Sequence, residues 1–340
     1  MRGDQSALWC SPPEAHTLTW LLSISAVVVG FIVLVWAADR FVLGSAALAR
    51  NFGVSPLVIG LTIVGFGTSA PELLVSGVAA ATGSAELCVG NAIGSNITNI
   101  TLVLGAAALV APMNVMGTVL KRELPILVLC MLLATGLMLD GNLGRIDGVV
   151  LAVALFGMMG WVIWLGLKSD APAPPIEVDV DEIPDDMPTG KAVLWIVIGL
   201  VLLLGSSRLL VWGAVTAARL LEIDELVIGL SVVAFGTSLP ELAASVVAAR
   251  RGEHDLAVGN VIGSNMFNTL GVMALPGLIH PHDVDLYVLR RDLPAMFGVT
   301  LLFFVMTRFF LRPSHVSRWE GAVLVAAFLG YMGWVYASIA

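Results

Sequence analysis

The chain has 340 residues, 58% of them hydrophobic and only 12% charged, with a formal net charge of −8 and a mean hydropathy of +0.94. Soluble domains run at about 45–50% apolar and about 25% charged, so this composition excludes an ordinary water-soluble globule. No basic patch marks a nucleic-acid partner, and long apolar runs rich in small residues, in place of alternation over about ten residues, exclude an outer-membrane barrel.

Residues 1–17 are polar and set Arg2 against Asp4 and Glu14. They lack the basic start and short apolar core of a secretory signal, so the first apolar run is expected to remain as a span. A spanning helix needs about 20 mostly apolar residues. Ten such runs follow: 18–49, 55–81, 86–110, 120–139, 146–167, 191–218, 225–249, 256–279, 291–311 and 319–338. Between the fifth and sixth lies 169–190, SDAPAPPIEVDVDEIPDDMPTG, whose five prolines and seven acids predict a solvated linker. It carries most of the negative charge and lacks the spacing of a calcium-binding loop. With the N-terminus outside, ten Lys and Arg fall in the inside connections and five in the outside ones. That bias predicts a multi-pass cell-membrane protein with both termini outside and a cytoplasmic linker. Cys10, Cys88 and Cys130 lie far apart and read as small apolar residues. His280 and His282 form only a weak H-P-H-D cluster, and every histidine lies outside the spans.

The chain repeats itself. VIGLTIVGFGTSAPELLVS at 58–76 and VIGLSVVAFGTSLPELAAS at 227–245 agree at thirteen of nineteen positions. GNAIGSNITN at 90–99 and GNVIGSNMFN at 259–268 agree at seven of ten, with the same offset of 169 residues. Lys121-Arg122 and Arg290-Arg291 keep that offset, each followed by an acid, Leu and Pro. The fold class expected is therefore an all-α polytopic membrane protein of two five-helix repeats, 18–168 and 191–340, joined by the 169–190 linker. Five spans per half is an odd number, so the halves enter the membrane from opposite sides. Such inverted repeats place a transport site at their interface near the midplane.

The repeated motifs are polar at membrane depth. Pro71 removes a helix donor, Gly65 and Gly67 soften the same turn, and Ala234, Gly236 and Pro240 repeat the arrangement. Spans two, three, seven and eight are thus expected to be broken, with backbone carbonyls open toward a cavity. Thr68, Ser69, Thr237 and Ser238 add hydroxyls, and Glu72 and Glu241 add carboxylates with no cationic side chain in these spans to pair with. An ionisable residue inside a span costs at least about 2.5–3.5 kcal/mol, so a bound cation is the obvious partner. Ser95 and Asn99 share one helical face, as do Ser264 and Asn268. Asn91 and Asn260 read as caps on a helix break, and Gly90, Gly94, Gly259 and Gly263 as close-packing positions. The sum is an all-oxygen cage suited to hard cations such as calcium, and sodium also fits.

Both copies resemble the repeats of the calcium/cation antiporter superfamily, in particular its prokaryotic sodium/calcium exchanger branch, along essentially the whole chain. The resemblance implies ten helices with both termini outside, and exchange of sodium for calcium through one shared cluster by alternating access. It places the metal ligands at Thr68, Ser69, Glu72, Ser95 and Asn99 and at Thr237, Ser238, Glu241, Ser264 and Asn268, with the carbonyls of Gly65 and Ala234. Some members carry an aspartate where this chain has Asn268; two amides here leave only two formal charges. One calcium neutralises them and three sodium ions leave +1, so electrogenic exchange is expected. The alternative keeps both glutamates but couples calcium to protons. A channel fits less well, because inverted repeats with buried charge argue for alternating access, and a membrane enzyme less well still, because no catalytic triad, phosphate loop or metal-histidine cluster lies in the spans. No cofactor, nucleic acid or obligate protein partner is expected, only inorganic cations and the bilayer.

Overall fold

The computed structural model describes residues 13–115, 117, 119–168, 187–221, 234–309 and 315–339. Residues 1–12 with Cys10, linker residues 169–186 and residues 222–233, which open the second repeated motif, lie outside that set. The described chain is almost entirely helical: α1 (Pro13–Phe52), α2 (Pro56–Thr68), α3 (Ala70–Ala81), α4 (85–110), α5 (119–138) and α6 (Arg145–Lys168) precede the linker. After it come α7 (Thr189–Leu220), α8 (Ala234–Thr237), α9 (Leu239–Arg250), α10 (His254–Ile279), α11 (288–309) and α12 (Arg318–Ile339). Four two-residue strands complete the set: β1 (Met113–Asn114), β2 (Asn142–Leu143), β3 (His282–Asp283) and β4 (His315–Val316).

Six of the described helices are long and apolar enough to cross a membrane, or seven if α2 and α3, bent by 44° at their junction, count as one span. Burial is inverted relative to a soluble protein. Glu72, Glu241, Asn99, Asn260 and Ser264 are buried, while Phe31, Ile32, Phe156 and Val201 are exposed. That polarity is stable only where the surrounding solvent is hydrocarbon.

The repeat is visible in the elements themselves. α3 and α9 begin 169 residues apart, as do α4 and α10, and β1 and β3. β2 and β4, and then α6 and α12, begin 173 apart, so four residues were gained or lost after α5 or α11. The strands pair across the halves: β1 with β4 and β2 with β3, both antiparallel. Exchanging the halves turns one pair into the other. The helices follow the same rule, with α4 touching α12 at Gly105 and Gly321, and α10 touching α6 at Gly277 and Gly148. α1 and α7 run antiparallel along their length: Ser23 meets Gly213, Gly30 meets Leu210, Phe41 meets Gly199 and Gly44 meets Ile196.

One expectation needs correction. Spans three and eight are not broken: α4 and α10 are continuous and are widened by a π turn, at Asn99–Val103 and Asn268–Val272. Neither turn contains a proline, so no donor is lost, and the ladder absorbs one extra residue instead of stopping.

Candidate functional site

The break between α2 and α3 follows from Pro71. Its ring cannot donate to Gly67 and crowds the preceding turn, so α2 ends at Thr68 and Ser69 (φ −78°, ψ 4°) serves as the joint. The same chemistry at Pro240 ends α8 and makes Ser238 (φ −88°, ψ 6°) the second joint. Each new helix then starts inside the protein with its acid in the first turn: Glu72 in α3 and Glu241 in α9. A helix N-terminus favours a carboxylate there. The carbonyl released by Pro240, that of Gly236, accepts from the Ser207 hydroxyl of α7 at 3.0 Å. The Gly65 carbonyl accepts from Ser69 N–H at 3.1 Å and from Ser264 Oγ at 3.4 Å, so it faces the cluster while still serving the helix.

The halves meet through these side chains. Thr68 Oγ1 lies 3.0 Å from Asn260 Oδ1 and 3.3 Å from Ser264 Oγ. Ser69 Oγ donates to Glu241 Oε1 at 3.3 Å. The Thr237 hydroxyl faces the Glu72 carboxylate, as Thr68 faces Glu241. Ser95 is buried on α4 at 6% exposure. Ala234 lies four residues before the Ser238 joint, at the position equivalent to Gly65.

Several buried oxygens lack a hydrogen-bond partner of good geometry among the described residues: both of Glu72, Oε2 of Glu241, Oγ of Ser238, and Oδ1 of Asn99 and of Asn268. Orphaned buried polar atoms are costly and rare in proteins. These are six acceptors on five side chains, all of them hard oxygens. Among the described residues no group of three or more His, Cys, Asp and Glu could hold a metal, so a cation here must draw on hydroxyl and amide oxygens as well.

Asn91 and Asn260 are second-rank in the sequence but central in space. Asn260 Nδ2 donates to Ser245 Oγ at 2.9 Å and to Glu241 O at 3.3 Å; Asn91 Nδ2 donates to Ser76 Oγ at 3.0 Å and to Glu72 O at 3.4 Å. Each asparagine therefore clamps the turn that carries a glutamate; neither caps a helix break, since Glu72 and Glu241 lie within α3 and α9. Ser76 and Ser245 are missed by a reading centred on the G-T-S-x-P-E element. Their signal is present: both sit one helical turn after their glutamate, and they match across the repeat. Asn260→Ala removes a clamp and the acceptor for Thr68, and leaves Ser245 with a lost donor. Transport is expected to fall about tenfold with the fold retained, the cost of one unsatisfied buried group, read as initial rate in proteoliposomes.

Close packing was expected of four glycines. Gly259 and Gly263 lie against Leu57, Gly60 and Leu61 of α2. The residues that would meet Gly90 and Gly94 by the same relation fall at 226–230, outside the described set.

The family model described as sodium/calcium exchanger protein matches residues 22–164 and 191–337. The putative antiporter CaxA of Alkalimonas amylolytica is 44% identical over 94% of this chain and 100% of its own length. The inner membrane protein YrbG of Escherichia coli is 38% identical over 93% of this chain and 97% of its own. Among solved structures, the sodium-calcium exchanger NCX_Mj soaked with 2.5 mM Na+ and 0.1 mM Ca2+ superposes with a TM-score of 0.78 at 32% identity, covering 92% of this chain and 98% of that one.

Proposed function

Since the chain belongs to the sodium/calcium exchanger protein family, a family of membrane cation antiporters, we propose that it exchanges sodium for calcium by alternating access at the cage around Glu72 and Glu241. The observation that carries this reading is the set of unpartnered buried oxygens on Glu72, Glu241, Ser238, Asn99 and Asn268. A site with two carboxylates and no cationic side chain needs a cation to be stable in a membrane. Thr68, Ser69, Thr237 and Ser238 then serve as hydroxyl ligands, with Ser95, Ser264 and the Gly65 and Ala234 carbonyls completing the shell. Hydroxyl oxygens favour sodium over protons as the coupling ion, because a proton needs only the carboxylates.

Ten spans in two inverted halves, in the cell membrane, with the termini outside and the linker cytoplasmic, complete the proposal. The antiparallel course of α1 and α7, which hold equivalent places in the two halves, supports the inversion. So do the loop contacts, each joining segments that the charge bias puts on one side. β1 pairs with β4 and Asn51 bonds Met187 O on the inner side, and β2 pairs with β3 on the outer.

The test is calcium uptake into proteoliposomes loaded with sodium. Uptake should follow the outward sodium gradient and ignore a pH gradient; the reverse result would replace sodium with protons. The two carboxylates make a further expectation. If three sodium ions leave for each calcium that enters, one positive charge leaves per cycle. An inside-positive potential should then accelerate uptake and an inside-negative one slow it, the transferred charge being worth about 2.3 kcal/mol per 100 mV. Uptake indifferent to a valinomycin-set potential would refute the electrogenic part.

A further inference from the structure

Asn99 and Asn268 occupy equivalent positions, each opening a π turn, yet their amides are held differently. Asn99 Nδ2 donates to Asn265 Oδ1 at 3.1 Å, and Asn265 Nδ2 in turn donates to Asn96 O at 3.3 Å. With its nitrogen spent, Asn99 presents Oδ1 as a free acceptor. Repeat symmetry calls for the same chain on the other side, from Asn268 Nδ2 to Asn96 Oδ1 and from Asn96 Nδ2 to Asn265 O. That chain is not made. Asn96 Nδ2 instead donates to Thr269 Oγ1 at 2.8 Å, with Met296 Sδ at 3.4 Å. Asn96 Oδ1 and both amide atoms of Asn268 are left buried without partners among the described residues.

The cause is legible in the repeat. The position equivalent to Thr269 is Ile100, which has no hydroxyl to capture Asn265. A single polar-for-apolar difference thus diverts one amide and leaves the other tethered. Leaving a buried amide unpaired costs free energy that a symmetric pair would avoid, and the difference falls on two of the proposed ligands.

We propose that Thr269 is a positioning residue that makes the two amides of the cage inequivalent, Asn99 being a fixed ligand and Asn268 a movable one, and that it thereby sets the cation affinity of the site. This rests on the reading of the cage as the calcium and sodium site. A fixed amide has its ordering cost met before the ion arrives, whereas a movable amide meets that cost on binding. Asn268 can turn its oxygen toward a bound cation and its nitrogen toward a carboxylate once the cation has left.

The experiment is calcium binding to the purified full-length protein by isothermal titration calorimetry in sodium-free buffer, with the calcium KM of uptake measured alongside. Thr269→Val frees Asn96 to accept from Asn268. Calcium should bind about threefold more tightly, the cost of ordering one side chain, and KM should fall with kcat unchanged or lower. Thr269→Ser keeps the hydroxyl and should restore wild-type values. Ile100→Thr installs the diverting hydroxyl in the other half and should weaken binding about threefold by releasing Asn99. It carries the test alone if Thr269→Val is not monodisperse. In an Asn268→Ala background the Thr269→Val effect should vanish. Wild-type binding with unmoved or same-direction variants overturns this inference and leaves the functional reading standing. No calcium binding by the wild type overturns both.

Discussion

Glu72→Gln and Glu241→Gln are each expected to abolish exchange, with calcium uptake reduced at least about 100-fold. Both side chains are buried, at 1% and 0% exposure, and among the described residues no Lys or Arg faces either of them. Removing one member of a buried charge pair typically costs about 3–5 kcal/mol, which is more than two decades in affinity. In the proposed mechanism the other member is the transported cation, so the loss falls on binding. Glutamine also turns an NH2 group into a cage whose other free atoms are mostly oxygens. The fold should survive the change, because an amide removes a charge that the empty site must otherwise bury unpaired. Two readouts separate function from folding: uptake should vanish, while the melting temperature without ions should hold or rise and lose its calcium dependence. Transport at wild-type rates by either variant would remove the glutamates from the mechanism.

The second large effect is expected from Gly263→Ala. A Cβ there would sit 2.6 Å from Leu61 O and 2.8 Å from Leu61 Cα, backbone atoms with no freedom to rotate away. The opposing surface is equally bare, since a Cβ on Gly60 would lie 2.9 Å from Leu256 O and one on Gly65 3.0 Å from Ser264 N. α2 and α10 therefore touch backbone to backbone along the stretch that sets Thr68 against Asn260 and Ser264. One methyl must push these helices apart, at an overpacking cost of about 1–3 kcal/mol, and widen the cage with them. Uptake should drop at least about tenfold, with a fall in melting temperature. Gly160→Ala is the control: among the described residues nothing lies within 4 Å of its Cβ position on α6. A Gly263→Ala protein with normal uptake would show that the α2–α10 spacing is not a constraint on the site.

Much of this was legible in the sequence because it is written twice. The matched Gly-Thr-Ser-x-Pro-Glu elements locate both helix joints and both acids, and proline chemistry alone dictates that the joints fall at Ser69 and Ser238. The π turns were not legible. Asn99-Ile-Thr-Leu-Val contains neither proline nor glycine, and local propensity gives no reason for an extra residue in the turn; packing between α4, α10 and their neighbours supplies it. The asymmetry at Thr269 was visible as a mismatch with Ile100, but its meaning depends on where the Asn96 amide points, which only the three-dimensional arrangement fixes. Close packing of Gly259 and Gly263 was expected, whereas the backbone-to-backbone distances that make it intolerant of a methyl were not.

The strand pairs have a consequence for how the two halves are joined. β1 is equivalent to β3 and β2 to β4, so both pairs, β1 with β4 and β2 with β3, are the same contact made twice. That is the geometry of an isologous dimer, in which one surface recognises itself. The strand contacts that join the two halves of this single polypeptide are therefore one contact used twice. Fusion into one chain releases the two clasps from being identical. Met113 and Asn114 now face Val316 and His315 beside the start of α10, and Asn142 and Leu143 face Asp283 and His282 beyond its end. Each mouth of the molecule can thus be tuned by substitution without altering the other.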